Sequence, residues 1–129
     1  MAETMQFCVG LENKPGTLTR LCETLRSAEV NIDALFVSNE AEVAWVNLVL
    51  SPIEAAEQTL ADAGYKYFAD KVLSLRVENR PGEIERIARR LADAGVNINY
   101  IYGSATAGSP STVVLSVDDL DKAGKALTE

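Results

Sequence analysis

The sequence contains no histidine and only two cysteines among its 129 residues. The absence of histidine removes the commonest metal ligand and the commonest general base, which argues against an acid–base enzyme or a metalloenzyme. Cys8 and Cys22 do not have CxxC spacing, and this favours free thiols in a reducing compartment over a disulfide framework. We therefore expect a cytoplasmic protein that is not an enzyme, with no catalytic residue, no metal and no cofactor.

Long apolar runs and clusters of basic residues are also lacking. No apolar run approaches the ~18 residues of a membrane span, and the N-terminus, MAETMQFCVG, lacks the layout of a secretory signal. The formal net charge is −7, whereas binding to nucleic-acid phosphates requires clustered Lys and Arg. We expect neither a membrane nor a nucleic acid as partner.

What the sequence does contain is a repeated segment. Residues 11–38 read LENKPGTLTRLCETLRSAEVNIDALFVS, and residues 77–104 read VENRPGEIERIARRLADAGVNINYIYGS. The two segments are offset by 66 residues without a gap and are identical at 11 of 28 positions. A repeat of this length predicts two structurally related units. A unit of about 60 residues has a marginal core on its own, so we expect the units to pack on each other or on a second copy.

Each repeat predicts the element order β-α-β-β-α-β. Apolar and polar residues alternate before each turn, apolar residues recur at helical spacing after it, and Pro15 and Pro81 suit the first turn of a helix. The predicted fold is α+β, with two ferredoxin-like βαββαβ units in tandem, antiparallel sheets of strand order 4-1-3-2, and helices on one face. The predicted domains are residues 1–70 and 71–129.

The second unit lacks a predicted last strand, because the counterpart of Tyr65 would lie past residue 129. An open sheet edge invites pairing, and the sequence leaves open whether the chain is short or another segment fills this edge. Residues 65–78 could also form one nearly continuous strand. A Gly-, Ser- and Pro-containing loop is predicted at residues 105–111.

The sheet face opposite the helices is expected to be partly apolar. Trp45 and Val49 alternate away from the core set of the third strand, and either Leu35 with Val37 or Ala34 with Phe36 adds to them. Exposed apolar area of this kind marks an interface, so we expect the halves or two chains to bury it, with a homodimer as the expected assembly.

ENKPG and ENRPG, each before an amphipathic helix and followed by VNI at the next strand, resemble ACT domains. The resemblance covers nearly the whole chain. It implies two small ligand-sensing modules in tandem, without the catalytic domain to which such modules are often attached, and a regulatory role in amino-acid metabolism. The partners it implies are an amino acid and an enzyme or transporter that receives the signal.

The turn residues have the chemistry that a zwitterionic amino acid requires. The start of a helix offers unpaired backbone N–H groups to a carboxylate, glycine allows close approach, and an asparagine amide can accept from an ammonium. The candidate ligand-binding residues are Asn13, Pro15, Gly16, Thr17, Leu18 and Asn31 in the first half, and Asn79, Pro81, Gly82, Glu83, Ile84 and Asn97 in the second.

The resemblance also implies how the two asparagine types pair. In ACT domains that bind amino acids, the ligand commonly lies between paired modules, which maps here to Asn13 with Asn97 and Asn79 with Asn31. Some amino-acid-sensing members have a histidine two residues before the turn asparagine. Leu11 and Val77 occupy these positions, so the side-chain specificity stays open.

Other interpretations of the same residues remain. Asn-Lys-Pro-Gly is also a good strand-to-helix turn without a ligand, and the chain could act as a regulatory subunit through protein contacts with vestigial ligand sites. Lys14 and Arg80 lie where acylphosphatases of this topology hold a phosphate-binding arginine, but the accompanying glycine-rich signature is absent. RNA binding through the sheet lacks its basic and aromatic signature.

Overall fold

The computed structural model describes residues 2–104 and 110–128. The helices and strands, in chain order, are β1 (Ala2–Glu12), α1 (Thr17–Ser27), β2 (Asn31–Glu40), β3 (Val43–Ser51), α2 (Ile53–Asp62), β4 (Tyr67–Val77), α3 (Glu83–Asp93), β5 (Ile98–Ser104), β6 (Ser111–Val117) and α4 (Leu120–Thr128). The predicted loop at residues 105–111 lies mostly outside the described residues.

The chain divides into two compact units. The first unit is Met5–Asp70, and the second is Lys71–Glu129 together with Met1–Thr4. The strand order is β2-β3-β1-β4 in the first unit and β5-β6-β4-β1 in the second. Both are the ferredoxin-like order 4-1-3-2, and the pairs β1–β3, β2–β3, β4–β6 and β5–β6 are antiparallel. The predicted fold class, α+β with two ferredoxin-like units in tandem, is confirmed.

The fourth strand of the second unit comes from the start of the chain. No strand follows α4 within the described residues, as the sequence predicts, and residues 2–4 of β1 take that position. Ala2 and Glu3 line a cleft with Leu73 and with residues of α4. β4 runs without interruption from Tyr67 to Val77, the continuous alternative that the sequence allowed.

Each unit has its own apolar core between its helices and its sheet. In the first unit Phe7, at the centre of β1, is fully buried and meets Tyr67 edge-on with ring centroids 5.5 Å apart. The fully or nearly fully buried members are Phe7, Val9, Leu21, Leu25, Val46, Leu48, Leu50, Ala56 and Leu60 in the first unit, and Leu73, Ile87, Leu91, Leu115 and Ala123 in the second. The helical spacing of the leucines and isoleucines in α1 and α3 places them over the strands.

Both helices that follow the repeated turn are preceded by a glycine at the N-cap position. Gly16 and Gly82 are the N-cap residues of α1 and α3 and have φ angles of 92° and 90°. This left-handed backbone excludes them from the helix and is easily adopted only by glycine. The expectation that Pro15 and Pro81 lie in the first helical turn is therefore wrong, because each precedes the glycine that caps the helix.

Strand register fixes the phase of β2, which the sequence left open. Leu35 pairs with Leu48 and Val37 with Val46, so these two side chains share the face of the core residues. Both remain about half exposed, at 43% and 45%, because β2 lies at the edge of the first unit's strand order. Phe36 therefore belongs to the opposite face.

No helix in the described part of the chain is both long enough and apolar enough to cross a membrane.

Candidate functional site

The turn between β4 and α3 forms one side of a cavity of about 460 Å³ within the second unit. The cavity lies between the start of α3 and the ends of three strands. Its lining residues are Val77, Glu78, Asn79, Arg80, Glu83, Ile84, Ile101, Tyr102, Gly103, Ser104, Ser111 and Val113. Three of the predicted ligand residues, Asn79, Glu83 and Ile84, thus meet in one space.

Glu83, the first residue of α3, is held in this site by two arginines. Only 10% of its side chain is exposed, and its carboxylate accepts a hydrogen bond from Nε of Arg86 at 2.9 Å. A guanidinium nitrogen of Arg80 lies 3.3 Å from the other carboxylate oxygen, and Arg80 also contacts Glu78 at 2.9 Å. The hydrogen bond from Arg86, and then the charges of both arginines, hold the pKa of Glu83 below its ordinary value.

The opposite wall of the cavity comes from β5 and β6, and sequence reasoning missed it. A Cβ on Gly103 would lie 2.7 Å from the carbonyl oxygen of Thr112, which is too close for any residue but glycine. The wall is therefore bare backbone at this position. Tyr102 beside it stays protonated, because burial and then the neighbouring Tyr100 raise its pKa to about 12. The signal for this wall was present: a glycine inside a strand, aligned with Val37 of the first unit, indicates a close backbone approach.

Ser111 lies at the start of β6 on the core-facing side, where it pairs with Val77. Only 7% of the residue is exposed, and its hydroxyl has no hydrogen-bond partner among residues 2–104 and 110–128. Such an orphaned buried hydroxyl is unusual in a folded protein and indicates a place for an additional polar group.

The turn between β1 and α1 is the first unit's counterpart and is held by hydrogen bonds within the protein. Asn13 donates from its backbone N–H to the carbonyl oxygen of Glu42 at 2.7 Å and from its side-chain amide to the carbonyl oxygen of Ala41 at 3.1 Å. The hydroxyl of Thr17 donates to the backbone carbonyl oxygen of Glu12 or of Lys14, at 2.8 and 3.1 Å. Asn13 therefore ties the turn to the β2–β3 loop.

Leu18 and Ile84 occupy equivalent positions one residue into α1 and α3. Although their spacing places them on the apolar stripe of each helix, they are 38% and 47% exposed. A small molecule at either helix start can therefore contact an apolar side chain.

Asn31 and Asn97 lie at the other end of their units from the turn asparagines. Asn31 pairs with Ser51 at one end of β3, whereas Glu12, next to Asn13, pairs with Val43 at the other. With a strand rise of about 3.3 Å per residue, the two ends are about 26 Å apart. No single unit can therefore bring a turn asparagine and a strand-opening asparagine onto one small ligand.

The strand-opening asparagines have local hydrogen bonds. The amide of Asn31 donates to the carboxylate of Asp33 at 2.6 Å. The backbone N–H of Asn97 donates to the carboxylate of Asp118 at 2.9 Å, and its side-chain amide lies 3.4 Å from the carbonyl oxygen of Ile98. Both side chains are exposed, and each keeps its amide oxygen for a further donor.

The other reactive side chains do not form a site. Burial raises the pKa of the Cys8 thiol, which keeps it protonated and poorly nucleophilic. Within the described ranges, no three cysteine, aspartate or glutamate side chains come together as a metal site.

Residues 2–129 match the family model of the ACT domain pair, and the chain belongs to this family. No curated protein matches it in sequence. Among solved structures, protein BT0572 from Bacteroides thetaiotaomicron is 27% identical with a TM-score of 0.92, over 98% of this chain and 87% of that one.

Two further structures share the fold at lower identity. The ligand-free regulatory subunit of aspartate kinase from Thermus thermophilus is 17% identical with a TM-score of 0.65, over 99% of this chain and 96% of that one. The regulatory subunit of aspartate kinase from Thermus flavus is 18% identical with a TM-score of 0.58, over 98% and 90%. The chain is thus a pair of ACT domains.

Proposed function

We propose that this protein is a non-catalytic regulator that binds a small amino acid at the helix starts of its two ACT domains, residues 1–70 and 71–129. The observation that carries the proposal is the repeated turn: in both units an asparagine and a left-handed glycine precede the first turn of a helix. The first backbone N–H groups of that helix have no acceptor within it and can bind a carboxylate.

A ligand at either turn needs a second set of contacts from a neighbouring module. The turn asparagine and the strand-opening asparagine of one unit are about 26 Å apart, so the two types can contact one ligand only from two modules. The pairs that the resemblance to ACT domains implies are Asn13 with Asn97 and Asn79 with Asn31. Each pair belongs to two modules, of the same chain or of two chains in a homodimer. Ligand would stabilise one arrangement of the modules, and couplings of this kind are typically about 1–3 kcal/mol.

We further propose that the signal passes to an enzyme or transporter of amino-acid metabolism in the cytoplasm. A protein of the same fold, from Thermus thermophilus, is a regulatory subunit of aspartate kinase, which supports the idea of an ACT pair acting on a separate catalytic chain. The reducing compartment is supported by the two free cysteines, Cys8 and Cys22.

Calorimetric titration of the whole chain with each of the twenty amino acids tests the proposal. We expect saturable binding of at least one, and its loss in the Asn13→Ala, Asn79→Ala double variant. A matched control replaces Gln58 in α2, whose amide bonds Asp62 at 2.7 Å, by alanine and should bind as the natural chain does. Absence of binding in the natural chain, or unchanged affinity in the double variant, would refute it.

A second function is favoured by the contacts of the first unit. The side-chain amides of Asn13 and Asn31 are both engaged within the protein, and Leu35 and Val37 leave apolar area exposed on β2. These features fit a regulatory subunit that acts through protein contacts with vestigial ligand sites. A complex that forms equally well with and without amino acids would support this second function.

A further inference from the structure

We infer that the cavity beside α3 is a side-chain pocket that makes the second unit selective for neutral amino acids with aliphatic side chains. The inference rests on the proposed function and adds the chemical class of the ligand. It places the ligand's carboxylate at the start of α3 and its side chain between α3 and the ends of β4, β5 and β6.

The apolar wall of the cavity is formed by side chains from four elements. Val77 from β4, Ile84 from α3, Ile101 from β5 and Val113 from β6 all line it. Ile84 is 47% exposed, so an aliphatic ligand beside it would remove apolar surface of the protein from water as well as its own. A volume of about 460 Å³ is ample for such a side chain.

Ser111 adds an unpaired hydroxyl beside the cavity. Its oxygen is buried and has no partner among the described residues, so it can bond an ammonium, a hydroxyl or a bound water when the side chain turns into the cavity. This orphaned hydroxyl distinguishes the site from a bare helix start. Asn79 on the turn also lines this space.

The charges around the cavity disfavour acidic ligands. Glu78 and Glu83 both line it, and Arg80 is already paired with both of them. A second carboxylate, on an aspartate or glutamate side chain, would meet Glu78 and Glu83 without a free cation from Arg80 and without the helix-start N–H groups that bind the ligand's α-carboxylate. The ammonium group of a zwitterion, in contrast, is attracted to them.

The first unit differs at the equivalent positions. Val37 and Ala44 occupy the places of Gly103 and Ser111. The inference therefore assigns side-chain selectivity to the second unit.

Titration calorimetry on the whole chain tests this, with glycine, alanine, valine, leucine, isoleucine, aspartate and glutamate as probes. The variants are Ile84→Ala and Ser111→Ala. The matched control is Ile53→Ala, because Ile53 also begins a helix and is 36% exposed but lies outside the cavity lining. Circular dichroism and thermal unfolding verify that each variant is folded.

We expect valine, leucine or isoleucine to bind more tightly than glycine, and aspartate and glutamate to bind most weakly. Ile84→Ala should weaken aliphatic binding about tenfold and change glycine binding little, since glycine has no side chain to lose contacts. Ser111→Ala should weaken binding of every bound probe, and Ile53→Ala should change nothing.

If amino acids bind but both cavity variants keep the natural affinity ranking, or if an acidic amino acid binds most tightly, the side-chain pocket is refuted while the sensor function stands. If no amino acid binds to the natural chain, both fail together.

Discussion

The side-chain amide of Asn13 donates a hydrogen bond to the carbonyl oxygen of Ala41 at 3.1 Å, 28 residues away in sequence. Ala41 has a φ angle of 54° and lies in the tight turn that joins β2 to β3. The contact therefore fastens a strained turn to the start of α1. The equivalent asparagine of the second unit, Asn79, lines the cavity beside α3, and the counterpart of Ala41 lies outside the described residues.

Replacement of Asn13 by alanine should destabilise the protein by about 0.5–1.5 kcal/mol, the usual contribution of one hydrogen bond. Replacement of Asn79, which lines the cavity, should leave the unfolding midpoint unchanged if its amide serves a ligand and not the fold. Urea unfolding of the two single variants measures both effects. An equal loss of stability in the two would show that both asparagines are structural.

Replacement of Glu29 by glycine should stabilise the protein by about 1 kcal/mol. Glu29 ends the turn after α1 with a φ angle of 58°, where the second unit has Gly95 at 74°. A left-handed conformation costs a residue with a side chain roughly 1–2 kcal/mol, part of which glycine's greater chain entropy cancels.

The reverse change at the equivalent position is the control for this prediction. Gly95→Ala should destabilise by a similar amount, although a Cβ there would meet no atom within 4 Å. Thermal unfolding of both variants measures the effect, and shifts of the same sign would contradict the explanation.

Replacement of Gly10 by alanine should move the indole ring of Trp45. The two residues pair across β1 and β3, and a Cβ on Gly10 would lie 2.9 Å from the ring. Since Trp45 is the single tryptophan of the chain, its fluorescence reports the movement, and we expect emission at longer wavelength as the ring becomes more exposed.

Gly124 in α4 provides the control, because an added Cβ there meets no atom within 4 Å. Gly124→Ala should leave the fluorescence unchanged and add about 0.5–1 kcal/mol of stability through helix propensity. An unchanged spectrum in the Gly10 variant would contradict the close packing of the ring.

Replacement of Glu83 by glutamine should reduce stability in a pH-dependent way. The folded state lowers the pKa of Glu83, chiefly through the hydrogen bond from Arg86. The ionised Glu83 side chain therefore contributes its full stabilisation of the folded state above the unfolded-state pKa of about 4.3. This stabilisation is lost as the pH falls through the folded-state pKa. The difference between natural chain and variant should be present at pH 7 and shrink in acid.

Urea titrations of the ligand-free protein from neutral pH downwards measure this difference. Glu85→Gln is the control, since Glu85 is 68% exposed and pairs with Arg89 on the solvent side of α3. A difference between Glu83→Gln and the natural chain that stays constant with pH would rule out the charged hydrogen bond as its cause.

The fold was predictable because its information is local and repeated. Alternating strands, helical stripes and the fixed offset of 66 residues specify two βαββαβ units without any long-range knowledge. The fourth strand of the second unit was not predictable, because nothing in Ala2–Thr4 marks it as a partner for β4. The helix start was misplaced by two residues, since proline commonly begins a helix but here a left-handed glycine follows it.

The candidate site was predictable only where the motif itself provides it. Asn79, Glu83 and Ile84 were identified from the turn, and they do line one cavity. Ser111 and Gly103 were missed, because strand pairing brings them to the turn from up to 32 residues away. The one sequence signal for them was the replacement of Val37 and Ala44 by smaller or polar residues in the second unit.

Amide NMR spectra of the ¹⁵N-labelled chain, recorded with each of the twenty amino acids at saturating concentration, test the central claim most directly. The account predicts that at least one amino acid shifts the signals of Gly82, Glu83 and Ile84 more than those of α2. Spectra that stay unchanged with all twenty, or that change only away from both repeated turns, would contradict it.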